Sequence, residues 1–348
     1  MILALAFFLL NFANSAPLEL PEEGAYVGAY VVAGPWSDEV SVENIKNFEE
    51  LINKKLSWVY FSNNWLDGQI NFPKENVLKA MSANVIPYIR LMPWSEYTDG
   101  SADPIFTMDV LLSDRFNEDL RAWAREAALL DTHYIIEFGP EVNGSWFPWN
   151  GKWNGANQMS YGDPSLPDGP ERFRDVFRKI ISLFREEGLH NVTWVWHVDT
   201  AWSPHARWND ASNYYPGDEY IDWIGLSVFG AQLPNHEWLD FFRKFRNFYP
   251  QIERIAEKKP IIISEFAVIE DPNIPSRKAD WISRALGLVE SGRYPIKAIT
   301  YWNSEGWLPD AAADFRITSS VQATEAFIER LREPFWKVSP LVERNTNE

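Results

Sequence analysis

The chain contains no cysteine, which excludes a disulfide framework, thiolate metal ligands and thiol nucleophiles. Histidine is scarce too. The 5 histidines show neither HExxH nor another paired ligand spacing, so no catalytic metal and no cofactor are expected. Basic residues are outnumbered: 32 Lys and Arg against 49 Asp and Glu give a net charge of −17. That balance argues against nucleic acid or an anionic membrane as partner. G-x-S-x-G is missing, so the serine-hydrolase elbow is not expected. Aromatic side chains, in contrast, are abundant. The 18 Trp, 22 Phe and 13 Tyr exceed what a core requires, so some should line a cleft.

Met1 to Ser15 reads as a secretion signal, removed before the mature protein acts. Leu3 to Leu10 forms a short apolar stretch, and Ala13-Asn14-Ser15 supplies small residues at −3 and −1 of a cleavage site. The apolar stretch is too short to span a bilayer. The expected organisation is therefore a signal over 1–15 and one catalytic domain over 16–348, exported and monomeric. Export without disulfides fits a domain large enough to need none.

Short apolar runs alternate with amphipathic segments along the rest of the chain. Strand candidates are Ala25–Val32, Ser57–Ser62, Val85–Met92, Tyr134–Pro140, Val192–His197, Trp223–Val228, Pro260–Ser264 and Ile296–Trp302. Most are near-continuous and rich in β-branched or aromatic residues, as strands covered on both faces should be. Between them, Ser41 caps a helix carrying Ile45, Phe48 and Ile52. Further helices are expected at 114–130, 169–187, 237–249, 276–291 and 324–332. A long Trp- and Tyr-rich loop separates Val195 from Trp223. This α/β alternation predicts a closed (β/α)8 TIM barrel. A doubly wound open sheet is the rival, but no glycine-rich phosphate loop follows the first strand. Long loops at 94–113, 142–169 and 199–220 follow strand ends, where barrel active sites are built.

Two of the runs end on carboxylates. Ile135-Ile136-Glu137-Phe138-Gly139-Pro140-Glu141 delivers Glu141, with Trp146, Phe147 and Trp149 close behind, and Pro260-Ile261-Ile262-Ile263-Ser264-Glu265 delivers Glu265. Strands four and seven of a closed barrel open onto the same face. Two carboxylates there, set among indoles, suit glycoside hydrolysis: one acid, one nucleophile or base, and flat apolar faces for sugar rings.

The run Glu141-Val142-Asn143-Gly144-Ser145-Trp146-Phe147-Pro148-Trp149 resembles the acid/base motif of glycoside hydrolase family 26, the endo-β-mannanase family of clan A retaining enzymes. Tyr215–Leu226 resembles that family's approach to strand six, Pro260–Phe266 its nucleophile strand, and Tyr301-Trp302 its strand-eight aromatic. The resemblance covers roughly residues 26–332, eight strand–helix units of a barrel. It implies that protonated Glu141 donates to the glycosidic oxygen while ionised Glu265 attacks the anomeric carbon, after which Glu141 activates water. It also implies Trp302 and Trp146 as sugar platforms. Trp149, His197, Phe229 and Asn143 are weaker candidates for substrate contact; His197 also reads as a satisfied core imidazole, and Asn143-Gly144 as a turn.

Three departures from the family pattern stand close to the site. Pro140 occupies the place of a His, Glu137 that of an Arg, and Phe229 that of a Tyr whose hydroxyl bonds the nucleophile. Glu137 shares the inward face of its strand with Gly139 and Glu141 by twofold alternation. A buried carboxylate needs a partner, and Arg90 on the adjacent strand is the expected one, giving a Glu137–Arg90 pair beneath the site. The resulting expectation is a secreted retaining endo-β-glycanase acting on a polysaccharide, β-1,4-mannan first. Mixed-linkage β-glucan and β-xylan are the alternatives, and a non-catalytic carbohydrate-binding barrel is the reading of another class.

Overall fold

The computed structural model describes residues 17–32, 34, 38–97, 100–305 and 313–345. The expected signal over 1–15 lies outside the described residues. Eight strands form the barrel: β1 (Ala25–Tyr30), β2 (Trp58–Asn64), β3 (Ile86–Met92), β4 (Tyr134–Phe138), β5 (Val192–Asp199), β6 (Trp223–Ser227), β7 (Ile261–Phe266) and β8 (Ile296–Trp302). They pair in parallel in the order β2-β3-β4-β5-β6-β7-β8-β1, and β1 pairs with β2 to close the ring. The (β/α)8 barrel is thus the fold. A short β9 (Trp336–Lys337), not foreseen in the sequence, adds to β1 opposite Ala25 and Tyr26. That is the end of β1 farther from the site.

Helices α1 (Val42–Ile52), α2 (Lys74–Ser82), α3 (Met108–Leu112), α4 (Asn117–Ala128), α5 (Asp168–Glu186), α6 (Phe241–Ala256), α7 (Arg277–Glu290), α8 (Val321–Leu331) and α9 (Pro340–Asn345) complete the order. The Ser41 hydroxyl caps α1 by accepting from the Asn44 amide at 3.1 Å, while Ile45, Phe48 and Ile52 face inward. α2 gave little sequence signal because only Val77 and Ala80 of its nine residues are buried. The helix expected to stop at Tyr249 instead runs through Pro250 to Ala256. Its buried stripe, Phe241, Phe245, Phe248, Ile252 and Ala256, crosses the proline without a break. Packing of that stripe outweighs the roughly 3 kcal/mol that a proline costs inside a helix. The segment 199–220 lacks a regular helix, as expected, and folds into short 3-10 turns at Arg207–Asn209 and Ala211–Tyr214.

Inside the ring, alternation along β2 and β3 sends Trp58, Tyr60 and Ser62, then Tyr88 and Arg90, toward the axis. The Trp58 indole fits because β1 carries Gly28: a Cβ there would lie 1.9 Å from Trp58 Nε1. Trp58 donates to Thr300 Oγ1 of β8 at 2.9 Å, which fixes the floor beneath the site.

Candidate active site

Glu141 follows β4 in an unusual backbone conformation. Gly139 has φ 55° and Glu141 φ 52°, both left-handed. Glycine takes this freely, and a Cβ at 139 would stand 2.7 Å from a Phe173 ring carbon, so no larger residue fits. For Glu141 the conformation costs about 1–2 kcal/mol, so its surroundings must hold it. The Gly139 amide donates to Leu91 O (3.0 Å), the Val142 amide to His197 O (3.3 Å) and the Gly144 amide to Glu141 O (2.7 Å). The carboxylate, 8% exposed, accepts from Trp146 Nε1 through Oε2 at 2.8 Å.

Glu265 lies near the end of β7. The preceding residue, Ser264, bonds Tyr88 inside the barrel at 2.9 Å, yet Glu265 also points inward. Strict alternation forbids that. Register irregularities between β6 and β7 and between β7 and β8, the latter between Ile263 and Phe266, absorb the difference. Glu265 Oε1 accepts from Tyr60 at 2.9 Å and from Arg90 Nη1 at 3.1 Å. Burial pushes its carboxyl up, Arg90 opposes, the Glu141 charge adds to the rise, and the outcome is about 7. The Glu141 charge is near enough to act on Glu265, so the two carboxylates share one mouth.

Arg90 is held as firmly as the acid it serves. Its Nη2 donates to Ser62 Oγ, and Asp38 stands 4.0 Å away. The guanidinium lies over the rings of Trp302, Tyr60 and Tyr30, 4.9, 5.0 and 5.7 Å from their centroids. Tyr30 and Trp302 stack at 3.9 Å and 6°.

The expected Glu137–Arg90 pair is therefore corrected. The two residues are register partners on β3 and β4, but Arg90 reaches across the barrel to Glu265 instead. Glu137 is fully buried and pairs with His197 Nδ1 at 3.1 Å; it also accepts from Tyr88 (2.7 Å) and Tyr60. The geometric reason is that three donors already surround Glu137, whereas among the described residues Glu265 has only Tyr60 besides Arg90.

His197 as a substrate contact is corrected as well. It is 1% exposed, and its second nitrogen meets Ser227 Oγ at 2.8 Å, so no ring nitrogen is left for a sugar. Burial alone would lower its pKa, but the charge of Glu137 and its hydrogen bond raise it to about 9. Trp149 is fully buried, stacks on Phe147 at 4.3 Å and donates to Pro140 O at 2.8 Å, so it supports the loop. Asn143 spends its amide on Asp199, accepting from that residue's N–H and donating to its carbonyl, both at 2.8 Å. Phe229 is buried edge-on to Trp302, with 6.3 Å between centroids. Trp146 is half-buried, and Trp302, 7% exposed, keeps one face against Tyr30.

The hydroxyl expected from a tyrosine at 229 comes from Tyr60 on β2, which sequence reasoning missed. Tyr88, Ser62 and Ser264 were missed too; their inward alternation on β2, β3 and β7 was the only available signal. Burial raises both tyrosine pKa values well above ordinary, so each remains a proton donor.

Ligand-type atoms of Glu137, His197 and Glu265 lie within 4.8 Å of one another. The set does not fit a metal. Both His197 ring nitrogens are already engaged by Glu137 and Ser227, Tyr60 and Tyr88 donate to the carboxylates, and the Arg90 guanidinium already supplies the positive charge.

The parallel barrel thus carries a buried carboxylate pair and indoles at the C-terminal ends of its strands. Residues 114–274 match the family model Glycosyl hydrolase family 26. Endoglucanase H of Acetivibrio thermocellus is 27% identical over 338 residues, covering 95% of this chain and 33% of that protein. A β-1,3-xylanase of an Alcaligenes species is 24% identical over 203 residues, covering 55% of this chain and 39% of that protein. The chain thus spans between about a third and two fifths of the length of these curated relatives. The catalytic domain of a family 26 endo-β-1,4-mannanase from Bacillus sp. JAMB-750 has the same fold. It superposes with a TM-score of 0.64 at 15% identity, covering 92% of this chain and 89% of that one.

Proposed function

We propose that the protein is a retaining endo-β-glycanase, with Glu141 as acid/base and Glu265 as nucleophile. The observation that carries this reading is the unequal treatment of the two carboxylates. Arg90 and Tyr60 hold Glu265 as an anion aimed into the mouth, while Glu141, 8% exposed, accepts an indole N–H from Trp146. Glu265 attacks the anomeric carbon as Glu141 protonates the departing oxygen; water, deprotonated by Glu141, then cleaves the ester. Retention asks for carboxyls about 5–5.5 Å apart, against roughly 6.5–9.5 Å for inversion. Trp302 and Trp146 serve as the apolar platforms.

Two substrates are favoured by different observations. The family motif around Glu141 supports β-1,4-mannan. The alignment over 95% of this chain to a protein named an endoglucanase supports a β-glucan, and the Pro140, Glu137 and Phe229 departures weaken the mannan reading. Xylan stands third. Initial rates on mannan, lichenan, β-1,3-xylan and β-1,4-xylan, with product sizing, separate these readings and endo from exo action. Product anomers followed by proton NMR test retention. Glu265→Ala should abolish turnover and keep binding. Binding without cleavage of any β-glycan by the wild type would favour the non-catalytic barrel instead.

Export and a monomeric single barrel over 16–348 belong to the same proposal. No described helix is long and apolar enough to cross a membrane. Amino-terminal sequencing of secreted material should begin after Ser15, and size-exclusion chromatography should give one chain's mass.

A further inference from the structure

Tyr60 stands between two acids and has one proton to offer them. Its hydroxyl lies 2.9 Å from Glu265 Oε1 and also bonds Glu137 Oε1, yet a phenol donates only one hydrogen bond. Tyr60 and Glu137 are both fully buried, so the hydroxyl cannot turn to bulk water when one acceptor weakens. It turns to the other.

Glu137 is held so that it presents one oxygen to Tyr60. Its second oxygen, Oε2, is pinned by His197 Nδ1 at 3.1 Å and by the Tyr88 hydroxyl at 2.7 Å. Tyr88 is joined to Ser264 Oγ at 2.9 Å, and His197 to Ser227 Oγ at 2.8 Å. Side chains from β3, β5, β6 and β7 thus fix this residue of β4. On Glu265, the bonds from Tyr60 and from Arg90 Nη1 (3.1 Å) both fall on Oε1, which leaves Oε2 for the anomeric carbon.

We infer that Glu137 is a positioning residue for the nucleophile: it competes with Glu265 for the Tyr60 hydrogen bond, takes that bond while Glu265 is esterified, and yields it as the carboxylate is released. This inference rests on the proposed retaining mechanism. In the first step Glu265 Oε2 bonds C1, the C1–O electron pair leaves with the departing oxygen, and Glu141 protonates that oxygen. The ester is a poorer acceptor than the carboxylate it replaces, so the Tyr60 hydroxyl swings to Glu137 rather than being stranded. In the second step water oxygen bonds C1, its proton goes to Glu141, and the C1–Oε2 pair returns to Glu265. The hydroxyl then swings back. The Tyr60 O–H bond stays intact throughout, so the swing moves a hydrogen bond and no proton. Competition from Glu137 loosens the hold on Glu265 as it attacks, and Tyr60 stabilises the same carboxylate as it leaves.

Glu137→Gln tests this without changing size. His197 and Tyr88 draw the remaining oxygen of the amide to their side, so its N–H group faces Tyr60 and the hydroxyl stays on Glu265. On a dinitrophenyl β-glycoside of the preferred sugar, kcat/KM, which reports ester formation, should fall about tenfold or more. Release of the ester should stay within about threefold, so the burst of dinitrophenol should disappear. In a Tyr60→Phe background the same substitution should change ester formation by no more than about twofold. Equal slowing of both steps, or an effect undiminished beside Tyr60→Phe, overturns the inference. The wild type gives a second reading that needs no variant to fold. Neutron diffraction of the enzyme trapped by a 2-deoxy-2-fluoro glycoside should show the Tyr60 deuteron directed at Glu137. A trapped ester on Glu265 with the deuteron still directed at Glu265 defeats the inference alone. A label on another residue, or none, defeats the retaining mechanism and the inference with it.

Discussion

Arg90 Nη1 stands 3.1 Å from Glu265 Oε1, joining the middle of β3 to the end of β7 across the barrel mouth. The contact works against burial, which otherwise favours a neutral and unreactive carboxyl. Glu265 must be ionised to attack, so its value of about 7 sets an acidic limb near neutral pH for kcat/KM. Arg90→Gln removes the opposing charge. The acidic limb should move upward by a unit or more, and kcat/KM at pH 6 should fall more than tenfold. Breaking a buried pair costs about 3–5 kcal/mol, so Tm should fall as well. A pH profile on the preferred glycan, beside a thermal melt, checks both.

Tyr60 supplies one hydroxyl to two acids, bonding Glu137 and, at 2.9 Å, Glu265. In Tyr60→Phe, Glu265 keeps Arg90 as its donor and Glu137 keeps Tyr88 and His197. A hydrogen bond to a charged group is worth about 1.5–3 kcal/mol, so kcat should fall by roughly 10- to 100-fold. KM should change little, because the ring and its packing remain. A fall confined to KM would mean that Tyr60 serves binding instead.

The residues that could be read from the chain are those whose role follows from strand position. Glu141 and Glu265 end apolar runs, and Glu137 is inward because it lies two residues from Gly139. Partnerships across the ring could not be read this way. Arg90 and Glu137 are register neighbours, so alternation pairs them, while the irregular register of β7 brings Glu265 inward and captures the arginine. Tyr60 was invisible because a tyrosine in a Trp- and Phe-rich strand reads as core, and only the closed ring places its hydroxyl beside β4 and β7. His197, Trp149 and Asn143 were drawn to the site by sequence proximity. The structure spends their polar atoms on Glu137, Pro140 and Asp199.

Asp168, at the start of α5, pins the loop after β4. Its carboxylate accepts from the Ser160 and Tyr161 amides (2.8 and 3.0 Å) and the Ser160 hydroxyl (2.7 Å), and pairs with Arg172 at 3.1 Å. Burial works against the charge, but these hydrogen bonds prevail and pull its pKa down to about 2. A depressed carboxylate stabilises the fold above its unfolded value near 4, and that contribution is lost as pH falls toward about 2. Asp168→Asn should lower stability by about 2 kcal/mol at neutral pH. It should also speed proteolysis between 155 and 167. The Tm gap to wild type should close between pH 4 and 2.

The Glu137–His197 pair makes the opposite pH prediction, because here the raised group is a base. With His197 pushed up to about 9 by Glu137, its contribution is complete below the unfolded value near 6.5 and vanishes as pH rises through about 9. A shift of that size corresponds to about 3 kcal/mol. His197→Gln retains a hydrogen-bonding side chain next to Ser227 but leaves Glu137 without a cation. At pH 6 the variant should be less stable by roughly 3–5 kcal/mol, the cost of stranding a buried charge. Other groups titrate in the same range, so the informative quantity is the Tm difference between the two proteins. It should narrow steadily from pH 6.5 to 9.5. A constant difference would mean that His197 is neutral in the folded protein and that Tyr60 and Tyr88 alone carry the charge of Glu137.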